Sequence, residues 1–117
     1  VRTQFNVVGE ERRLPPALEI ALYRLIQESL TNVAKHAKTS EAWVSIEVAR
    51  GTVRLIVKDH GRGFDPGAVS GVIGERFGLV GMKERVAMFG GEISIKSGIN
   101  AGTKITVAIP LDPGQKH

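Results

Sequence analysis

The sequence predicts a two-layer α/β sandwich in which helices cover one face of a mixed, mostly antiparallel sheet. Three observations lead there. Apolar and polar residues alternate in two pairs of adjacent runs, each pair joined by a turn. Helical spacing governs one long run and one short one. The 117 residues, 42% of them apolar, suit a single packed core. A doubly wound parallel sheet fits less well.

A first strand is expected over residues 4–8. Arg13-Leu14-Pro15-Pro16 then reads as a stop followed by a helix start, because the N–H that proline lacks has no partner in a helix's first turn. From residue 17 to about 37, Leu18, Leu22, Leu25, Ser29 and Val33 recur at three- and four-residue spacing, with Ala21, Ile26 and Leu30 beside them. One broad helical face is therefore buried. Val44, Ile46 and Val48 alternate with Ser45 and Glu47, and Val53, Leu55 and Val57 alternate with Arg54 and Lys58. Arg50-Gly51 joins the two runs as a hairpin.

Residues 60–77 carry glycines at 61, 63, 67, 71 and 74 plus Pro66, which favours neither helix nor strand. Loops beyond about 12–15 residues in compact domains are usually lids or binding loops. The glycines predict mobility when no ligand is bound. Leu79, Met82, Val86 and Phe89 then give a short helix ended by Gly90-Gly91. Ile93 and Ile95, followed by Ile105, Val107 and Ile109, form a second hairpin around residues 97–102, and residues 111–117 are a polar, flexible tail.

Residues 1–117 are expected to form one domain. No run approaches the roughly 18 apolar residues needed to span a bilayer, and no charged-then-apolar leader opens the chain, so a soluble domain without membrane contact is expected, with cytoplasm as the default location. The absence of cysteine excludes disulfides and thiolate metal sites. The formal charge is +4, but the 16 basic residues are dispersed along the chain, which argues against a nucleic-acid binder. A start at Val1, with a strand almost at once, suggests a piece of a longer protein.

Candidate chemistry begins on the long helix. Glu28, Asn32 and Lys35 lie within about 40° on one stripe, where an amide and a carboxylate offer oxygens to a hard divalent cation and an ammonium faces phosphate. Taken alone, Glu28 and Lys35 also read as ordinary solvated charges. Asn32 is a mediocre helix former that needs a reason to be mid-helix. His36 fits either a capping role at the helix end or a phosphate contact.

Asp59-His60-Gly61-Arg62-Gly63 stands where a strand enters the long loop. A carboxylate there accepts a hydrogen bond from an exocyclic amine such as adenine's, and it rejects guanine, which presents an acceptor at that edge. A turn-forming Asp beside glycines is the simpler alternative. The Gly61-Arg62-Gly63 run is not a dinucleotide fingerprint, since Pro66 occupies the third glycine position, and no phosphate-loop motif occurs. Gly78-Leu79-Val80-Gly81-Met82 opens the short helix, with backbone N–H groups available to phosphate or merely starting the helix. Gly102-Thr103 enters the last strand, where a hydroxyl can join water around a base or be a plain β-branched strand residue.

In order, Glu28-Ser29-Leu30-Thr31-Asn32 with Lys35-His36, Asp59-His60-Gly61-Arg62-Gly63, Gly78-Leu79-Val80-Gly81-Met82 and Gly102-Thr103 resemble the N, G1 and G2 boxes and the glycine-threonine element of the GHKL superfamily: gyrase, Hsp90, histidine kinase and MutL. The resemblance covers about residues 17–109 and implies the Bergerat-type sandwich. The run from Gly78 to Arg85 is similar to sensor kinases paired with NarL/LuxR-type response regulators. The resemblance implies ATP and Mg2+ as ligands. Asn32 would ligate the metal, Glu28 would support it or its water, and Lys35 would face phosphate. Asp59 would hold the adenine amine, Gly61 and Gly63 would shape the base pocket, Gly78 and Gly81 would flank the phosphates, and Thr103 would assist through water. Leu79, Met82 and, less definitely, His36 complete the nucleotide-binding set.

The resemblance further implies γ-phosphate donation to a histidine on a separate dimerisation domain of the same protein, and a response regulator as downstream partner. His36, His60 and His117 are poor acceptor candidates, so this chain alone should bind ATP and transfer little phosphate. An anti-sigma-factor-like serine kinase of the same superfamily is the alternative. A basic nucleic-acid module rests only on an isoelectric point near 9.8.

Overall fold

The computed structural model describes residues 2–9, 14–34, 41–61, 79–98 and 102–111. Within them the chain forms β1 (Arg2–Gly9), α1 (Pro16–Asn32), β2 (Glu41–Ala49), β3 (Thr52–Asp59), α2 (Leu79–Met88), β4 (Glu92–Ser97) and β5 (Thr103–Pro110). The five strands make one sheet in the order β1-β2-β3-β5-β4. β1 runs parallel to β2 and the other neighbours are antiparallel, so the sheet is mixed and mostly antiparallel, as the alternation predicts.

The period-two pattern decides which face is covered. Val53, Leu55 and Val57 on β3, with Ile105, Val107 and Ile109 on β5, point at Leu18, Leu22 and Leu25 of α1 and at Met82 and Val86 of α2. Burying one such side chain is worth about 1.5–3 kcal/mol, which is why the helices settle on this face alone. Arg54, Lys58 and Lys104 stay exposed on the other. β1 is an edge strand whose Phe5 and Val7, on the helix face, remain 59% and 70% exposed beyond the cover of α1.

Local chemistry sets the element ends. Pro16 opens α1 and the Pro15 carbonyl accepts the N–H groups of Leu18 and Glu19. The regular α-helix is described over Pro16–Asn32, and the expected end near residue 37 lies outside the described residues. Val33 and Ala34 continue in a wider, π-type turn, and the Val33 N–H is shared between the carbonyls of Leu30 and Ser29. Arg50 and Gly51 both take positive φ, the two-residue hairpin turn that matches strand twist. At the end of α2, Gly91 N–H donates to the Val86 carbonyl and Gly90 N–H to that of Ala87, a Schellman closure.

The loop expected over 60–77 is described only at His60 and Gly61, and the tail expected over 111–117 only at Leu111. Among the described residues, no helix is long and apolar enough to cross a membrane.

Candidate functional site

One end of the sheet gathers the polar residues of the helix face. Ala42, Asp59, Thr103 and Ser97 are register partners in successive strands β2, β3, β5 and β4, so their side chains project together toward the helices. Asp59 is 6% exposed. Burial raises its acid above the usual carboxylate range. Hydrogen bonds from the backbone of Gly61 and Thr103, and the neighbouring His60, pull it down without cancelling the effect. The Gly61 N–H donates to Asp59 Oδ1 at 2.7 Å, turning the chain sharply out of β3.

β5 begins tightly against that turn. Gly102 has φ +80°, and a Cβ added there would stand 2.3 Å from the Asp59 carbonyl oxygen and 3.0 Å from His60 Cα, so only glycine permits the approach. Ser97 Oγ donates to the Gly102 carbonyl at 3.0 Å and lies 2.9 Å from Thr103 Oγ1, which leaves Thr103 as the donor in that second bond. His60 meets Trp43 edge-on, with centroids 4.9 Å apart. A cleft of about 390 Å³ opens at this end of the sheet, lined by Asp59, His60, Ser97, Gly102 and Thr103 together with lysines of the open face.

The C-terminal end of α1 stands over the same end. Val33 packs on Ala42, the register partner of Asp59, with Leu30 against the pair. At 100° per residue, Glu28 and Asn32 lie about 160° and 200° around the helix from Leu30, on the flank turned away from β2, the side on which α2 lies. Both are half-buried. Next to them the Ser29 hydroxyl donates to the Leu25 carbonyl at 2.7 Å and sits 3.7 Å from Met82 Sδ, tying α1 to α2.

Residues 17–113 match the family described as histidine kinase-, DNA gyrase B- and HSP90-like ATPases. The chain belongs to this family. Within it, several relatives are named histidine kinases. The chain is 41% identical over 113 residues to the signal transduction histidine-protein kinase/phosphatase DegS of Bacillus subtilis (strain 168), covering 95% of this chain and 29% of that protein. It is 44% identical over 107 residues to DegS of Brevibacillus brevis, covering 92% and 27%. The oxygen sensor histidine kinase NreB of Staphylococcus carnosus (strain TM300) is 34% identical, over 95% of this chain and 31% of its own length.

The histidine kinase domain from the Erythrobacter litoralis EL346 blue-light activated histidine kinase superposes with a TM-score of 0.69 at 26% identity, covering 94% of this chain and 52% of that one. The α/β sandwich is therefore that of a histidine-kinase ATPase domain, and the chain spans under a third of the curated relatives' length.

The ATPase domain thus draws Asp59, Gly61 and Thr103 into one cluster, with Asn32 and Glu28 on the helix that ends above it. Leu79 is the first residue of α2, and Gly81, in its first turn, faces open space. Met82, expected among the nucleotide-binding residues, is 1% exposed and belongs to the core. Lys35, His36, Gly63 and Gly78 lie outside the described residues. Sequence reasoning missed Ser97, whose hydroxyl orients Thr103. The available signal was cross-strand, since a hairpin turned over residues 98–102 sets 97 opposite 103.

Proposed function

We propose that this ATPase domain binds Mg-ATP with the adenine amine on Asp59 and donates the γ-phosphate to a histidine of a separate dimerisation and phosphoacceptor domain, which passes it to a response regulator. The observation that carries this reading is the buried Asp59 carboxyl, held between Gly61 and Thr103 at the sheet end over which α1 terminates. The Gly61 and Thr103 backbone N–H groups hold the carboxyl in place, and a carboxylate has lone pairs left over for an exocyclic amine.

Glu28 and Asn32 fit the metal by donor chemistry, since a carboxylate and an amide oxygen are the hard ligands magnesium takes. Magnesium bound there would keep phosphate and water oxygens among its ligands. Bound there, magnesium would neutralise phosphate charge. The chain's own part is positioning: Asp59 and Thr103 fix the base, while Asn32 and Glu28 hold the other end, with Lys35, His36 and the backbone of Gly78 to Met82 facing the phosphates. The acceptor imidazole nitrogen attacks the γ-phosphorus in line, the bond to the β,γ-bridging oxygen breaks, and ADP leaves as the imidazole gives up its proton.

Isothermal titration with ATP and GTP, with and without magnesium, tests the reading on the parent chain and on Asp59→Asn. Expected are magnesium-dependent ATP binding, no GTP binding and ATP binding weakened about 100-fold in the variant. A parent chain that ignores ATP, or a variant that binds as well, ends it. Phosphate transfer should require the acceptor domain supplied in trans.

A further inference from the structure

The open face of the sheet carries a lysine row at the rim of the cleft, to which the proposed ATP contacts assign no role. Strand register sets Lys58 opposite Lys104 across β3 and β5, and Lys104 opposite Lys96 across β5 and β4. All three are exposed, and among the described residues none has a carboxylate partner. Side chains directly opposed in a sheet have Cβ atoms about 5 Å apart, where like charges destabilise the pairing. Three ammonium groups within about 10 Å across adjacent strands are a cost to the free chain that an anion lying on them relieves.

A shallow groove of about 360 Å³ continues from Lys104 along the same face. It is lined by Ile56, Ser94, Thr106 and Ala108, with Arg54 and Glu92 at its far end. Its middle is uncharged, hydroxyl-bearing and low, because Ser94 and Ala108 are small.

We infer that this face binds an acidic polypeptide segment. Carboxylates one helical turn apart meet the lysine row, and an uncharged side chain enters the groove. Two observations fix the class of partner. The spacing between neighbouring lysines, near the strand spacing of about 4.8 Å, matches the 5.4 Å pitch that separates acidic residues on one stripe of a helix. The positive charge also stops after one row. The next row is Ile56, Thr106 and Ser94, and beyond it Arg54 lies 3.9 Å from Glu47 with Glu92 nearby. A nucleic-acid backbone following the groove would leave the lysines and run onto carboxylates. Trp43, in the lysine row on β2, is held edge-on by His60.

The test is an amide-shift titration of the full chain with three probes: a helical peptide carrying Glu on three successive turns, the same peptide with Gln, and a short single-stranded DNA. The Glu peptide should shift residues 58, 94, 96, 104 and 106, weaken with added salt, and lose about tenfold in affinity either as the Gln peptide or against Lys58→Gln/Lys96→Gln/Lys104→Gln. The thermal midpoint of that triple variant should equal or exceed the parent's, which separates lost binding from lost fold. Lys104→Gln alone should weaken binding about threefold. Absence of shifts, equal binding of the Gln peptide, tighter binding of the DNA, or shifts confined to Asp59, Ser97 and Thr103 would overturn the inference.

Discussion

One residue separates two rows that behave in opposite ways. Asp59, Thr103 and Ser97 lie under the helices, while Lys58, Lys104 and Lys96, each next to one of them in the chain, lie on the open face. The covered row has a single charge, displaced from its ordinary acidity by burial and held by the backbone N–H groups of Gly61 and Thr103, beside the Ser97–Thr103 hydroxyl pair. The open row has three like charges without partners among the described residues. Burial makes the charged form of the one carboxylate costly. Water lets three ammonium groups coexist at a modest cost. The sheet thus presents a covered acidic row and an open basic row, divided only by the pleat.

Removing the covered charge is the sharpest way to break this contrast. Asp59→Asn should weaken ATP binding about 100-fold by calorimetry, since a hydrogen bond to a buried charged group is lost and the amide offers the adenine amine a poorer acceptor. The parent's ATP affinity should also fall as pH drops through the raised Asp59 value, because the protonated carboxyl is a poorer acceptor for the amine than the carboxylate. For folding the sign reverses. An acid raised in the native state contributes stability that is full below the usual carboxylate range and is lost as pH rises through the folded value. Asp59→Asn should therefore be more stable than the parent at neutral pH, with a flatter pH profile in urea denaturation.

The close approach that builds the covered row gives the next effect. Gly102→Ala forces positive φ on a residue with a Cβ and drives that Cβ into the Asp59 carbonyl, and should cost about 2 kcal/mol in denaturant unfolding. Ser97→Ala leaves Thr103 without its hydroxyl partner and should cost about 1 kcal/mol, with a smaller loss in ATP affinity than Asp59→Asn. The smallest change is on the open face. Lys104→Gln relieves two like-charge contacts and should raise stability by about 0.5 kcal/mol at low salt, a gain that fades as salt is added.

Much of this was legible in the chain itself. Period-two runs located β2, β3, β4 and β5, three- and four-residue spacing located α1 and α2, and the order of the four boxes pointed to the family, because these are local patterns that each segment carries alone. Asp59 was readable for the same reason: it ends a strand and glycines follow.

What tertiary structure alone decided is non-local. That β1 lies parallel beside β2, that β5 enters between β3 and β4, that Met82 fills the core and that Ser97 reaches Thr103 all depend on which segments become neighbours. The lysine row is the clearest case. The charges looked dispersed in sequence, at positions 58, 96 and 104, and became a cluster only when register set them abreast. Side-chain period is fixed by the pleat of each strand, but the partner across the gap is fixed by sheet order and turn length, which no single segment encodes.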